Sequence, residues 1–140
     1  MSAHEASESL AQVLQVAGGV LLSLRLSNTQ CNLIPILEAL TKGSSKLTEL
    51  DISKNKMKAA DCGSLAKFLL NNNTLTSLNL SGTKLPVETL KDIFSAVSKD
   101  IDLKLDLSDN SLGTQFAKVF SSIAVTLTNI HTLDLRYCGD

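Results

Sequence analysis

The sequence predicts an α/β solenoid bent into a horseshoe arc, with parallel strands lining its concave side and helices forming its convex side. Three observations lead there. Leucine supplies 26 of the 140 residues, aromatics make up only 4% and tryptophan is absent, so the core must be aliphatic. One frame of leucines at fixed gaps recurs five times along the chain. Between its copies, apolar residues fall at three-to-four spacing, the period of a helix with one buried face.

The first helix precedes any strand: Leu10, Val13, Leu14 and Ala17 share one face, and Gly18 with Gly19 closes it. The frame then appears as Leu21-x-x-Leu24-x-Leu26-x-x-Thr29, followed by Leu47-x-x-Leu50-x-Ile52-x-x-Asn55-x-Met57. A third copy reads Leu75-x-x-Leu78-x-Leu80-x-x-Thr83-x-Leu85, and the last reads Ile130-x-x-Leu133-x-Leu135-x-x-Cys138. The fourth, Leu105-x-Leu107-x-x-Asn110-x-Leu112, has Asp102 where its first leucine belongs. The Asn, Thr or Cys positions are 29, 55, 83, 110 and 138, at intervals of 26, 28, 27 and 28. Such self-similarity is the mark of a repeat architecture.

In Leu-x-Leu the leucines face one side of a strand and the middle residue faces the other. A compact corner must follow each strand. Asn55 and Asn110 can turn their amides inward to satisfy corner backbone groups that would otherwise be buried unpaired. Thr29 and Thr83 can do part of this through a hydroxyl, and Cys138 is a weak donor. The helices between strands carry four apolar sets: Leu33, Leu37 and Leu40; Leu65, Phe68 and Leu69; Leu90, Ile93, Phe94 and Val97; Phe116, Val119, Phe120 and Ile123. Pro35 and Pro86 sit near helix starts, where a missing N–H costs nothing. Gly43 and Asn71 to Asn73 fall near helix ends, where a left-handed residue is expected. Residues 1–140 thus read as a single segment of about five repeats. No polar cap closes either end, as a solenoid needs for solubility. The expectation is a slice of a longer array; the alternative is a short array whose ends are covered by a partner or by self-association.

This frame is the leucine-rich repeat, and its length and helix content resemble the ribonuclease-inhibitor-like subclass. The resemblance narrows at Asn79-Leu80-Ser81-Gly82-Thr83-Lys84-Leu85 with Leu90-Lys91, then at the irregular spacer Asp100-Ile101-Asp102-Leu103-Lys104. It continues through Leu105-Asp106-Leu107-Ser108-Asp109-Asn110 and Asn129-Ile130-His131-Thr132-Leu133-Asp134-Leu135. Together these resemble the repeat domain of the CARMIL family, linkers of capping protein, the actin-related-protein complex and myosin-I. The resemblance implies a multidomain cytosolic regulator of actin assembly whose repeats form a non-enzymatic scaffold for membrane targeting, self-association and partner docking. In that family the capping-protein motif lies in a disordered C-terminal region, and a pleckstrin-like module precedes the repeats. Neither is found in these residues, so no capping-protein contact is assigned to any position.

Other function classes find little support. The 13 basic and 14 acidic residues leave a net charge of −1, unlike the basic face of a nucleic-acid binder. No run reaches the roughly 18 apolar residues of a membrane span. Gln12 and Gln15 interrupt the stretch from Leu10 to Leu26, and Glu5 and Glu8 precede it in place of signal-peptide basic charge. Cys31, Cys62 and Cys138 are odd in number and far apart, which fits free thiols in a reduced cytosol; Cys31 and Cys62 read as apolar filler. No metal or cofactor site is expected. His4, in a fraying end, and His131, at an outward position, lack a positioned nucleophile, and no Gly-x-Ser-x-Gly or phosphate-binding loop occurs.

Two surfaces remain as candidate partner sites. The concave face has a central column of Arg25, Asp51, Asn79, Asp106 and Asp134, flanked by Ser23, Glu49, Ser77, Lys104 and Thr132 and by Ser27, Ser53, Ser81, Ser108 and Arg136. With strands about 4.8 Å apart, Arg25 should pair with Asp51, while Asp106 and Asp134 should repel. This face is either a mildly acidic groove for a basic protein segment or a solvated surface whose small residues fit a crowded curve. The latter is favoured by the scarcity of aromatic anchors, Tyr137 being the one tyrosine. The second surface is a basic loop edge of Lys54, Lys56, Lys58 and Lys84, open to acidic lipid headgroups or an acidic partner but diluted by Asp109. The competing functional reading is a stand-alone module that binds actin, or inhibits an enzyme, through the concave face.

Overall fold

The computed structural model describes residues 3–17, 19–43, 45–124 and 129–139, with side chains for all of these but Ala3, His4 and Ile123. The expectations placed on Gly18 and on the side chains of His4 and Ile123 lie outside the described residues. Helix α1 (Ala3–Ala17) leads into β1 (Ser23–Arg25), α2 (Leu33–Lys42), β2 (Glu49–Asp51), α3 (Ala59–Leu70) and β3 (Ser77–Asn79). A 3-10 turn at Val87–Thr89 runs into α4 (Leu90–Ala96), then β4 (Leu103–Asp106), α5 (Gln115–Ile123) and β5 (Ile130–Asp134). The strands form one sheet in the order β1-β2-β3-β4-β5, and every neighbouring pair is parallel. Each helix packs on the next, so strands and helices make two stacked layers.

The leucine frame dictates the register. Leu24, Leu50, Leu78, Leu105 and Leu133 lie opposite one another through the sheet. A second column, Leu26, Ile52, Leu80 and Leu107, is buried beside it. Between this spine and the convex layer sit Leu37, Leu40, Leu65, Phe68, Leu90, Ile93 and Phe94, all buried. Strands of three to five residues suffice because each contributes only one Leu-x-Leu to the core.

The fourth copy keeps its apolar entry residue by a shift. Asp102 occupies the frame position but is exposed, and Leu103 is buried in its place, paired with Ile130 across a register break between Leu103 and Lys104. Such a bulge inserts one residue without losing the downstream ladder.

Two expectations about helices need correction. Val13 is 58% exposed; Ala11 and Leu14 carry the buried face of α1. Helix ends use no left-handed residue at Gly43 or Asn71, whose φ angles are −84° and −103°. Gly43 is needed for close approach: a Cβ there would lie 3.1 Å from the Ala39 oxygen and 3.2 Å from the Leu14 oxygen. Left-handed residues recur instead in the strand-to-helix corners, in every copy at the residue before the Asn/Thr/Cys position. Asn28, Lys54, Gly82, Asp109 and Tyr137 all have φ between 55° and 62°. A Cβ at Gly82 would meet only ordinary contacts at 3.5 Å, so Gly82→Ala carries the conformational cost alone. Its denaturation midpoint should fall by the equivalent of about 1 kcal/mol.

Candidate partner-binding surfaces

The corners fix everything that projects from the arc. Asn55 Nδ2 donates to the Leu26, Ile52 and Ser53 carbonyls at 2.8, 3.1 and 3.0 Å, and its Oδ1 accepts from Gln30 N at 3.0 Å. Asn110 repeats this with Leu80, Leu107 and Ser108 at 3.0, 2.9 and 3.2 Å, its Oδ1 accepting from Thr83 N and Lys84 N. Thr29 and Thr83 donate their hydroxyls back to Leu26 and Leu80. Each Asn therefore serves its own corner and the threonine corner before it. Gln30 and Lys84, whose N–H groups the asparagines capture, are left-handed as well. Cys138 Sγ lies 3.0 Å from the Leu107 carbonyl as a thiol donor.

The central concave column has a local job at four of its five positions. Asp51 Oδ1 accepts from Ser53 N at 3.0 Å and from Ser53 Oγ at 2.6 Å; Asp106 Oδ1 accepts likewise from Ser108 at 2.9 and 2.6 Å. Asn79 accepts from Ser81 N and Asp134 from Arg136 N. These bonds turn the chain out of each strand and tie the Asp/Asn column to the column after it.

Arg25 does not pair with Asp51. Its Nε lies 2.8 Å from Glu49 Oε1, which also accepts from Ser23 Oγ at 2.6 Å. The longer glutamate reaches across from the adjoining column, while the Asp51 carboxylate is held by Ser53. The expected Asp106–Asp134 repulsion is likewise offset, because Arg136 grips Asp134 through Nε and a second nitrogen at 2.7 Å. That grip holds the Asp134 carboxyl below the usual aspartate range, and the Arg25 bond does the same for Glu49, helped by Ser23. A carboxylate lowered in the folded state adds stability above its unfolded pKa and loses it as pH falls through the folded value. The thermal midpoint should therefore drop on acidification below about pH 4. The double variant Glu49→Gln/Asp134→Asn should show a shallower drop in the same titration.

Lys54, Lys56, Lys58 and Lys84 are all exposed along the corner edge. Gly82 sits between Lys54 and Asp109, so an acidic group interrupts the row. Lys58 N caps onto Asp61 at 2.8 Å, placing a second carboxylate by the edge. A cleft of about 370 Å³ opens here, lined by Asn28, Gln30, Cys31, Lys54, Asn55 and Lys56.

His131 Nε2 meets Asp102 at 3.1 Å, both exposed. Cys62 is buried in α3, and burial pushes its thiol up. Cys31 is half-buried, and all three cysteines are free. Among the described residues, no group of three or more His, Cys, Asp or Glu is placed to hold a metal, and no helix is long and apolar enough to cross a membrane. Sequence reasoning missed two buried asparagines. Asn72 Oδ1 accepts from Thr74 N and Leu75 N, and Asn129 Nδ2 donates to the Ser98 and Ile101 carbonyls. Asn72 stands three residues before Leu75 and Asn129 one residue before Ile130, so the two share no frame position and the repeat spacing does not single them out.

No protein-family model matches the chain. It is similar to Protein CARMIL of Dictyostelium discoideum, 39% identical over 117 residues, which cover 81% of this chain and 11% of that protein. It is also similar to Capping protein, Arp2/3 and myosin-I linker protein 3 of Homo sapiens, 34% identical over 127 residues, 85% of this chain and 9% of that one. Linker protein 2 of the same name from Mus musculus is 34% identical over 128 residues, 86% of this chain and 10% of its own length. The chain thus spans about a tenth of the length of these curated relatives. Among solved structures, the fold matches the tropomodulin C-terminal domain of Caenorhabditis elegans with a TM-score of 0.77. That match covers 95% of this chain and 84% of that one at 15% identity. It shows the fold: the leucine-rich-repeat solenoid expected from the sequence.

Proposed function

We propose that this chain, with CARMIL relatives across most of its length, is a non-enzymatic protein-interaction scaffold in cytoplasmic actin regulation. On this reading it is a slice of a longer repeat array. The similarity to the CARMIL proteins over 81% to 86% of the chain carries the reading. The geometry fits it, since the polar groups of the corners and of the column after each strand bond to neighbouring backbone and stiffen the arc. The concave face, with Arg25, Glu49, Asp51, Asn79, Asp106, Asp134 and Arg136, is the proposed partner surface. The lysine edge of Lys54, Lys56, Lys58 and Lys84 is an accessory one.

Co-sedimentation of the purified chain with actin filaments, alone and with capping protein added, tests this proposal. The scaffold reading predicts no saturable sedimentation in either arm. Saturable binding to actin alone, lost on Asp51→Lys/Asp106→Lys, would replace it with direct actin binding through the concave face.

A further inference from the structure

One edge of the arc carries cations that its own carboxylates leave unpaired. Among the described residues, none of Lys54, Lys56 and Lys84 makes an ion pair, although Glu49, Asp102 and Asp134 each find one. Met57 N donates to the Thr83 carbonyl at 2.8 Å, so Lys56 and Lys84 flank a single backbone bond between adjoining corners. Like charges so placed repel. Lys54 adds a second cost. Its φ of 56° suits the Asn28, Gly82 and Asp109 of the neighbouring copies, whereas a lysine there is strained. Its N–H bond to the Ser81 carbonyl is one that any of them would make. The adjoining cleft of about 370 Å³ is lined by Asn28, Gln30, Cys31, Lys54, Asn55 and Lys56, with no carboxylate in its wall. The side-chain amides of Asn28 and Gln30 have no hydrogen bond among the described residues. One opening thus gathers two ammonium groups and two unbonded amides, all of them N–H donors.

We propose that this edge seats an extended acidic segment of a partner protein, with one carboxylate in the cleft at Lys54 and Lys56 and the next on Lys84. The inference rests on the scaffold reading and supplies the partner chemistry of its accessory surface. Three features favour a peptide over an anionic bilayer. First, the basic row is short. Lys54 Cγ and Asp109 Oδ2 would each lie 3.5 Å from a Cβ added at Gly82, so the edge turns negative just past that residue. A flat bilayer pressed on the lysines would meet Asp109 as well; an extended chain of a few residues would not. Second, the large apolar side chains exposed among the described residues, such as Leu70 and Leu135, all lie outside residues 54–58 and 82–87. The edge therefore lacks the apolar insertion that strengthens binding at a membrane surface. Third, the spacing suits a strand. An extended chain repeats its same-face side chains about every 6.6–6.8 Å. Acidic residues two apart then reach the lysines of successive corners, whose flexible four-carbon stems close the difference.

Nuclear magnetic resonance titration of the isotope-labelled 140-residue chain with a synthetic octapeptide of alternating Glu and Ser tests this. Saturable amide shifts should centre on Gln30, Lys54, Lys56 and Lys84, and the affinity should fall severalfold from low to physiological salt. Lys56→Glu/Lys84→Glu, checked for native circular dichroism, should weaken binding at least about tenfold and bind an octapeptide of alternating Lys and Ser instead. Lys46→Glu/Lys99→Glu makes the same charge change on the loops that enter β2 and β4, at the opposite edge. It should keep the affinity within about twofold. Vesicles of phosphatidylcholine with phosphatidylserine should leave the chain in the supernatant. Sedimentation with them that Lys56→Glu/Lys84→Glu abolishes would overturn the peptide in favour of lipid. Shifts spread over the concave face, equal affinity in the two double variants, or no saturable shift would overturn the proposal too. Each of these failures strikes this edge alone, since actin co-sedimentation decides the scaffold reading.

Discussion

Leu80→Asp is expected to abolish cooperative folding of the arc. Leu80 is fully buried, in the column that includes Ile52 and Leu107. Replacing it loses roughly 2–3 kcal/mol of burial. It also places a carboxylate in an aliphatic stack, where an unpaired charge costs several kcal/mol more. The sum rivals the whole stability of an ordinary domain, about 5–15 kcal/mol. Because each repeat is stabilised by its neighbours, a failure in the third copy separates the two halves of the array. Far-ultraviolet circular dichroism against temperature should show a broad, shallow loss of signal. Asn79→Asp is the control, since Asp51 and Asp106 already fill equivalent positions with the same serine bond. It adds a carboxylate between Asp51 and Asp106, so it should cost about 1 kcal/mol, far less than Leu80→Asp. A sharp, unshifted transition for Leu80→Asp would mean that the inward and outward faces are misassigned.

Asn110→Ala should be the next most damaging change. The side chain serves three carbonyls and two N–H groups in two repeats, all at 3.2 Å or less. Removing it leaves several corner groups without partners, each costing about 1–3 kcal/mol where water cannot reach. A loss of about 3–5 kcal/mol in urea denaturation is expected. Asn110→Asp should lose a similar amount, because a carboxylate keeps the acceptor but turns an anion toward three carbonyls. Thr83→Val removes a single hydroxyl donor and should cost only about 1 kcal/mol. Equal, small effects for all three would show that these corners are solvated.

The sheet was legible because the signal is redundant. Leu24, Leu50, Leu78 and Leu133 each sit two residues before another aliphatic, and strand alternation then leaves one register for the stack. The corner asparagines were legible in kind, since a buried turn demands an amide. Their service to the preceding threonine corner was not, because it depends on how far one repeat overlaps the next. The ion pairs failed for the same reason. Spacing along the strand ranks Asp51 nearest to Arg25, but side-chain length and the prior claim of Ser53 give the pair to Glu49. Leu103 shows a different limit: the frame names position 102, and only a bulge lets the neighbouring leucine take its place. Val13 was misread because α1 has a buried stripe on one side only, and a period of three to four residues does not say which side.

The central claim is that aliphatic side chains from successive copies form one unbroken spine. Methyl–methyl nuclear Overhauser contacts in leucine-labelled protein measure it most directly. The structure predicts a sequential chain of contacts from Leu24 to Leu50, Leu78, Leu105 and Leu133. Contacts that skip a member, or a Leu78 methyl that sees solvent and neither neighbour, would contradict it.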